Sequence, residues 1–481
     1  MKLSHLIQRL DVIKTIGDTD IDVQDVCFNS NEATENSLFI CLNGRDFDGH
    51  SFALQAEKYG AVALVCEKEM DSNLPQIIVK NTRVALSIIA SGFFGRPDKS
   101  MKIIGVTGTN GKTSTTHIIK CILDSAGIKC GVIGTLGAFY DDKYIEMPLT
   151  TPDPLLLHKT LAEMRDASVK VVVMEVSAHA LYYDKIEGMD FEVGIFTNLT
   201  QDHLDFFNSM EEYERTKLKF FDNNRCKYIV VNADDEVGIK ILNTHKNVVT
   251  YGMDNPSDVF AIDCELTKNG STFVLNLFDM IFGIKLNLMG KFNVYNSMAG
   301  ATATALFGVP TDQIAKGLCK LQTVSGRLEL VYDKEYSVFV DYAHTPDGLE
   351  KSLNSLKSVC KNKLICVFGC GGNRDKEKRP LMGEISGNTA DFTIITSDNP
   401  RYEEPMDLIS EVEKGILKTK GKYIIVQDRT EGIRYAINLA KDGDTILVAG
   451  KGAEDYQEIL GIKHIYNDKT TIKEIIRGKT W

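Results

Sequence analysis

Residues Met101 to Thr116 read MKIIGVTGTNGKTSTT. The run Lys102-Ile103-Ile104-Gly105-Val106 has the length and β-branching of a buried strand, and it breaks into glycines before a helical stretch, Thr113 to Ala126. Strand, glycine loop and helix together form a phosphate cradle. Gly108 and Gly111 let backbone N–H groups turn toward an anion, and the helix offers its positive N-terminus. Lys112 adds a point charge, and the Thr113 hydroxyl can hold a magnesium ion. The common P-loop spacing puts glycine at position 106, where Val106 stands, so the loop is a variant running from Gly108 through Thr109, Asn110 and Gly111 to Lys112 and Thr113. An ordinary glycine-rich turn accounts for the glycines but not for a Lys-Thr pair at a helix start.

At 481 residues the chain exceeds what one hydrophobic core serves, so several domains are expected. A formal charge of −11 denies it the basic field that nucleic-acid binding relies on. The N-terminal MKLSHLIQRLDVIK has no uninterrupted apolar core, and no later segment reaches the roughly 20 apolar residues of a membrane span. A cytoplasmic protein with neither nucleic-acid nor membrane partner is expected. The 11 cysteines are scattered without a CxxC pair, which favours reduced core thiols over disulfides or zinc.

Up to about Pro97 the pattern is mixed α/β, with apolar runs at 37–42, 61–66 and 76–79 and helical stretches at 52–59 and 83–94. The polar loops Asn29-Ser30-Asn31 and 44–50 could hold a ligand or only turn the chain. From 98 to about 325 strand and helix patterns alternate, which argues a mostly parallel sheet with helices on both faces and binding residues at strand C-termini. The strand 169–176 carries Glu175 near its end, a carboxylate costly to bury without a partner such as a metal ion. The next strand, 193–197, runs into a polar cluster containing His203. Tyr213 to Phe221 reads as a helix with Lys217 on its apolar side. From 327 on, a third α/β unit ends its strands in polar text: Gly369 to Asp375, Asp398-Asn399-Pro400-Arg401, and Gly450 to Glu454. Exits that carry Arg374, Arg401 and several carboxylates suit a small charged molecule.

Taken together, TGTNGKT (Thr107 to Thr113), MEVSAHAL (Met174 to Leu181), TNLTQDHLD (Thr197 to Asp205), the Tyr213/Lys217 helix, LMGKFNVYN (Leu288 to Asn296), SGR (Ser325 to Arg327), DYAHTPDGL (Asp341 to Leu349), GCGGNRDKEKRPLM (Gly369 to Met382) and SDNPRYEEP (Ser397 to Pro405) resemble the Mur ligase family. These are the ATP-dependent amide-forming enzymes of peptidoglycan precursor synthesis. The resemblance implies an α/β chain of three domains: a small mixed α/β UDP-binding domain (1–97), a central P-loop-type ATP-binding domain (98–326), and a Rossmann-like amino-acid-binding domain (327–481). DYAHTP, GCGGxRD and DNPR resemble the members that add the third peptide residue to UDP-N-acetylmuramoyl-L-alanyl-D-glutamate. By the same resemblance, Ser30, Thr150, Thr151, Ser177 and Lys185 contact that nucleotide-peptide, and Gly108, Thr109, Asn110, Gly111, Lys112, Thr113, Ser114, Asn296 and Arg327 form the ATP site. Glu175 and His203 match magnesium ligands, and Lys217 matches a lysine carried as a carbamate. Lys112, Glu175, His203 and Lys217 are the catalytic set. Arg374, Asp398, Asn399, Pro400, Arg401, Gly450 and Glu454 complete an amino-acid pocket.

Four positions depart from the family pattern: Ala178 for a second serine, Lys185 for arginine, Ser325 for proline, and Ala453 for histidine. Lys185 keeps the charge and loses the guanidinium fork. The reaction implied is phosphoryl transfer from ATP to the D-glutamate γ-carboxylate, then attack of an amine on the acyl phosphate. Arg401 points to meso-diaminopimelate, whose distal carboxylate needs a cation, as the amine; L-lysine is the alternative. A folylpolyglutamate-type ligase or a non-catalytic nucleotide-binding relative are the rival readings, and a monomer is expected.

Overall fold

In the computed structural model, which describes residues 1–44 and 47–479, three sheets fall in three consecutive stretches of the chain. Arg45 and Asp46 of the polar loop 44–50 lie outside the described residues. The first sheet has five strands in the order Val12–Ile16, Gln76–Val79, Ala61–Cys66, Ser37–Ile40, Asp25–Cys27. Its inner strands are apolar but for Ser37 and Gln76 at their starts, because parallel pairing and flanking helices bury both faces.

The second sheet has eleven strands. They run from Met280–Leu286 through Gly270–Leu277, Val259–Thr267, Val248–Gly252, Cys226–Asn232, Phe191–Phe196, Lys102–Thr107, Val171–Glu175, Cys130–Gly134 and Gly137–Tyr140 to Lys143–Ile145. The sheet is mostly parallel, as the alternating pattern predicts, and ends in antiparallel pairs at both edges; the one around Lys268-Asn269-Gly270 is the hairpin its turn residues suggest. Gly137–Tyr140 and Lys143–Ile145 pair antiparallel with their predecessors on one side, and Gly270–Leu277 and Met280–Leu286 do so on the other. Their connections explain it: two residues join each such pair, whereas a parallel crossover needs a dozen. Phe278 and Asp279, both at positive φ, make one of these tight turns.

The third sheet is ordered Glu329–Asp333, Ser337–Asp341, Thr445–Ala449, Leu364–Phe368, Phe392–Ile395, Tyr423–Ile425, parallel except for its first strand. Apolar clusters fill both of its faces, one around Phe339, Leu353 and Val412 and the other around Val340, Ile433 and Ile472. A separate hairpin, Tyr456–Ile459 with Ile462–Ile465, follows the last strand. The helix expected over Tyr213 to Phe221 instead spans Met210–Leu218, with Phe220 and Phe221 buried just beyond its end. Among the described residues no helix is long and apolar enough to cross a membrane.

By contact the chain forms two compact units. One holds Met1–Gly105, Lys129–Gly194 and Lys219–Lys227; the other holds Val106–Ile128, Ile195–Leu218 and the chain from Tyr228 on.

Candidate active site

In the second unit, the helix Lys112–Ser125 starts at Gly111, which has φ 89° and supplies no side-chain cap, so the positive helix N-terminus can face an anion. The loop before it is held by side chains from 197–200. Thr197 Oγ1 donates to the Asn110 carbonyl (2.6 Å), Asn198 Oδ1 accepts from the Asn110 N–H (3.0 Å), and the Thr109 hydroxyl donates to the Thr200 carbonyl (3.1 Å). A Cβ at Gly108 would lie 1.9 Å from Thr197 Oγ1, and one at Gly111 2.4 Å from Asn296 Oδ1. Both positions therefore require glycine on space as well as on φ. Ser114 is buried in the first helical turn.

Lys112 Nζ folds back on the loop and donates to the carbonyls of Gly108 (2.9 Å) and Thr109 (2.8 Å). Arg327 Nη2 donates to Thr113 Oγ1 at 2.9 Å, and its guanidinium lies 4.3 Å from the Tyr342 ring centroid. Two residues expected in the ATP site thus meet, and the hydroxyl expected to hold magnesium accepts from an arginine. Asn296 donates to Asn293 Oδ1 at 3.0 Å. Lys217 is 1% exposed and donates to the Gly108 carbonyl at 2.8 Å, with Tyr213 4.7 Å from its ammonium. Burial, with Lys112 adding repulsion, pushes its amine well below the ordinary lysine value.

His203 sits at φ 59° beside Asp202, a residue whose role sequence reasoning missed. Burial alone would raise the Asp202 carboxyl, but His344, His203 and Lys378 outweigh it and hold it well below the usual range. Its signal was its place inside the polar cluster after a strand, read for His203 alone. The same part of the chain meets the third sheet's loops: Gln201 Nε2 donates to Asp375 (3.2 Å) and Asn110 Nδ2 to Asp347 (2.8 Å).

Of the residues expected to form an amino-acid pocket, Asn399 meets Glu454 and Asp398 faces Gly450. Asn399 Nδ2 donates to Glu454 Oε2 (3.0 Å), while its Oδ1 accepts from Lys451 Nζ (2.8 Å). Lys451, fully buried and also bonded to Glu454 (2.9 Å), was missed although it lies in the quoted strand exit. Asp398 Oδ2 faces Gly450, where a Cβ would come within 2.5 Å of it, and Arg429 Nη1 stands 3.9 Å away. Pro400 is buried between Asn399 and Arg401, and its carbonyl lies 2.0 Å from where a Gly372 Cβ would sit. Arg374 is half exposed, 3.9 Å from Asp205. Arg401 pairs with neither Glu403 nor Glu404, the partners weighed from sequence, but with Glu458 at 3.1 Å. Glu403 is taken by the fully buried Arg379.

In the first unit, Glu175 is 1% exposed, and its carboxylate accepts from the Thr135 N–H (2.9 Å) and hydroxyl (3.2 Å). Thr135 had no signal beyond following a strand. Thr135 and Thr150 share a hydrogen bond of 3.1 Å. Thr151 Oγ1 donates to the Glu175 carbonyl (2.8 Å) and accepts from the Ser177 N–H (3.0 Å), and Lys185 Nζ donates to the Thr151 carbonyl (3.2 Å). Burial lowers the Lys185 pKa. Ser177 caps the helix Ala178–Tyr182. Thr150, Thr151, Ser177, Lys185 and Glu175 therefore form one cluster. Ser30 stands apart, donating to Gln55 at 3.2 Å. Among the described residues no group of three or more His, Cys, Asp or Glu side chains forms a metal cluster.

The sequence pattern of the Mur ligase middle domain matches residues 106–304, that of the Mur ligase glutamate ligase domain 326–452, and that of the Mur ligase family catalytic domain 22–94. The UDP-N-acetylmuramoyl-L-alanyl-D-glutamate–2,6-diaminopimelate ligase of Syntrophomonas wolfei is 40% identical over 487 residues, covering 100% of both chains. Its counterpart from Clostridium tetani is 42% identical over 486 residues, covering 99% of each. The chain belongs to the Mur ligase family. As a Mur ligase it is an ATP-dependent enzyme. A solved 2,6-diaminopimelate ligase of the same name superimposes on this Mur ligase with TM-score 0.71 at 29% identity, over 100% of this chain and 99% of that one. The MurF ligase of Thermotoga maritima, solved with ADP, shares the fold at TM-score 0.64 and 22% identity, over 95% and 98%.

Proposed function

We infer that this Mur ligase joins meso-diaminopimelate to the D-glutamate γ-carboxylate of UDP-N-acetylmuramoyl-L-alanyl-D-glutamate in the cytoplasm, at the expense of ATP. The observation that carries the choice of amino acid is Arg401. Its guanidinium is held at the strand exit 398–401 by the Glu458 carboxylate and the Gly372 carbonyl, where a cation can receive a distal carboxylate. The names of relatives about 40% identical along the whole chain support the same reading.

A carboxylate is a poor electrophile, and transfer of the γ-phosphoryl group of ATP to it supplies a leaving group. The chain's contribution is position and charge. The loop from Gly108 and the uncapped start of the helix through Ser114 receive the phosphates, and Lys112 leaves its two loop carbonyls to follow the transferred group. Asn296 and Arg327 border the nucleotide. Thr150, Thr151, Ser177 and Lys185 orient the peptide carboxylate, and Ser30 meets the uridine part. Asp398 or Glu454 is available to an ammonium group of the incoming amino acid, and Arg374 and Arg401 to its carboxylates, against Pro400 and Gly450.

The donor chemistry suits magnesium: Thr113 and Glu175 offer hard oxygens, and His203 an imidazole. Burial disfavours the ammonium form of Lys217, which favours uptake of carbon dioxide on its amine as a carbamate. Within the second unit, magnesium held by Thr113, His203 and that carbamate would neutralise phosphate charge; Glu175 offers its carboxylate in the first. Residues 1–97, 98–326 and 327–481 then serve the UDP, the ATP and the amino acid in turn.

The test is to offer the nucleotide-dipeptide, ATP and a panel of amino acids and to weigh the product. A tripeptide product made from meso-diaminopimelate is expected. Equal use of L-lysine refutes the choice of amino acid, and no ATP-dependent product refutes the reading.

A further inference from the structure

The hairpin Tyr456–Ile465 is stitched along Asp398–Arg401 by its backbone. The Arg401 N–H donates to the Glu458 carbonyl (3.0 Å), the Leu460 N–H to the Arg401 carbonyl (2.7 Å), and the Glu458 N–H to Asn399 Oδ1 (2.9 Å). Arg401 is locked at φ 51° by this pairing. Its Nε donates to Glu458 Oε2 at 3.1 Å, and its Nη1 to the Gly372 carbonyl at 2.8 Å. The cross-strand neighbour of Glu458 is Lys463, but that ammonium lies 4.2 Å from the centroid of the Tyr456 ring and makes no ion pair with Glu458 among the described residues. Glu458 is thus directed at Arg401. Nη2 of the one and Oε1 of the other have no hydrogen-bond partner among the described residues, and both side chains keep partial access to solvent.

We propose that Glu458 is a specificity-determining residue, and that the Arg401–Glu458 pair reads a distal carbon bearing both a carboxylate and an ammonium group. The proposal rests on the ligase reading above. A cation and an anion side by side give a singly charged group one attraction and one repulsion at similar distances, which nearly cancel. A zwitterionic carbon lays its carboxylate on Arg401 and its ammonium on Glu458 and gains from both. Arg401 alone would reward any distal carboxylate. With Glu458 beside it, the site rewards the pair.

The experiment compares wild type with Glu458→Gln, which keeps the side-chain shape and all three backbone contacts, on three amino acids with the nucleotide-dipeptide and ATP. Meso-diaminopimelate carries both distal groups, L-2-aminopimelate the carboxylate alone, and L-lysine the ammonium alone. Loss of one charge-assisted hydrogen bond is expected to raise KM about tenfold for meso-diaminopimelate and L-lysine with kcat unchanged. KM for L-2-aminopimelate stays level or falls, so the preference for meso-diaminopimelate over it shrinks about tenfold. A uniform change across the three, the mark of a residue that only steadies Arg401, overturns the proposal, as does no change. A wild type that turns over none of the three overturns the ligase reading and this inference together.

Discussion

Arg379→Met removes the buried cation under the loops 371–374 and 398–403. Arg379 meets Glu403 through two bonds of 2.9 Å, Nη1 to Oε2 and Nη2 to Oε1, and Glu411 Oε2 at 2.8 Å. Glu403 in turn accepts from the Asn373 N–H, so the cation ties the Gly371–Arg374 loop to the loop that carries Arg401. The Arg379 hydrogen bonds hold the Glu403 carboxyl at about 2, against 4.5 for an ordinary glutamate. That depression corresponds to about 3 kcal/mol by linkage. Glu403 and Glu411 both keep some contact with water, and screening reduces the expected loss to about 1.5 kcal/mol. The sign follows from the depressed value. The contribution is complete above pH 4.5 and is lost as pH falls toward 2.

In a chain of several domains a single unfolding free energy is ill-defined, so the readout is amide hydrogen exchange at 371–374 and 401–404 in variant and wild type side by side. At pH 7 the variant is expected to exchange about tenfold faster there. The ratio closes as the pH is taken from 4.5 toward 3, and KM for the amino acid rises. Unchanged protection at pH 7 in a folded variant, or a ratio indifferent to pH, refutes the reasoning.

Lys112→Ala is expected to cut turnover by several orders of magnitude with an unchanged circular-dichroism spectrum, because it removes the charge that follows the phosphoryl group; near-normal phosphate release would end that assignment. Lys217→Ala is expected to be nearly inactive and partly rescued by small carboxylic acids that fill the vacated space, and a high-resolution map of active enzyme with an unmodified Lys217 ammonium would remove the carbamate. Arg401→Ala is expected to cost roughly 2–5 kcal/mol in kcat/KM with meso-diaminopimelate and to narrow its advantage over L-lysine, since it strands Glu458 as well as the substrate carboxylate; an undiminished preference would move the selectivity elsewhere. Gly111→Ala is expected to abolish nucleotide binding measured by calorimetry, because a Cβ there meets both a positive φ and Asn296.

Local pattern determined the phosphate loop, because strand, glycines, lysine and helix are contiguous and each residue's part follows from its neighbours. It determined three of the six strands of the third sheet for the same reason: Leu364–Phe368 and most of Thr445–Ala449 are apolar runs that suit a strand buried on both faces. The apolar side of Lys217 was legible from helical spacing, and the structure buries it fully. One sheet edge was legible from the turn residues Lys268-Asn269-Gly270, but the edge Gly137–Tyr140 and Lys143–Ile145 was not, since a run of alternating residues does not say whether its neighbour returns by a turn or a crossover. The partners of charged residues were least legible of all. Glu458 lies 57 positions from Arg401, Asp468 39 from Arg429, and Glu403 24 from Arg379. Charge has no period along a chain. An ion pair forms where the backbone of two distant loops has already been brought to within a few ångströms, and that approach is set by sheet order and by the hairpin after the last strand, which only the tertiary structure decides.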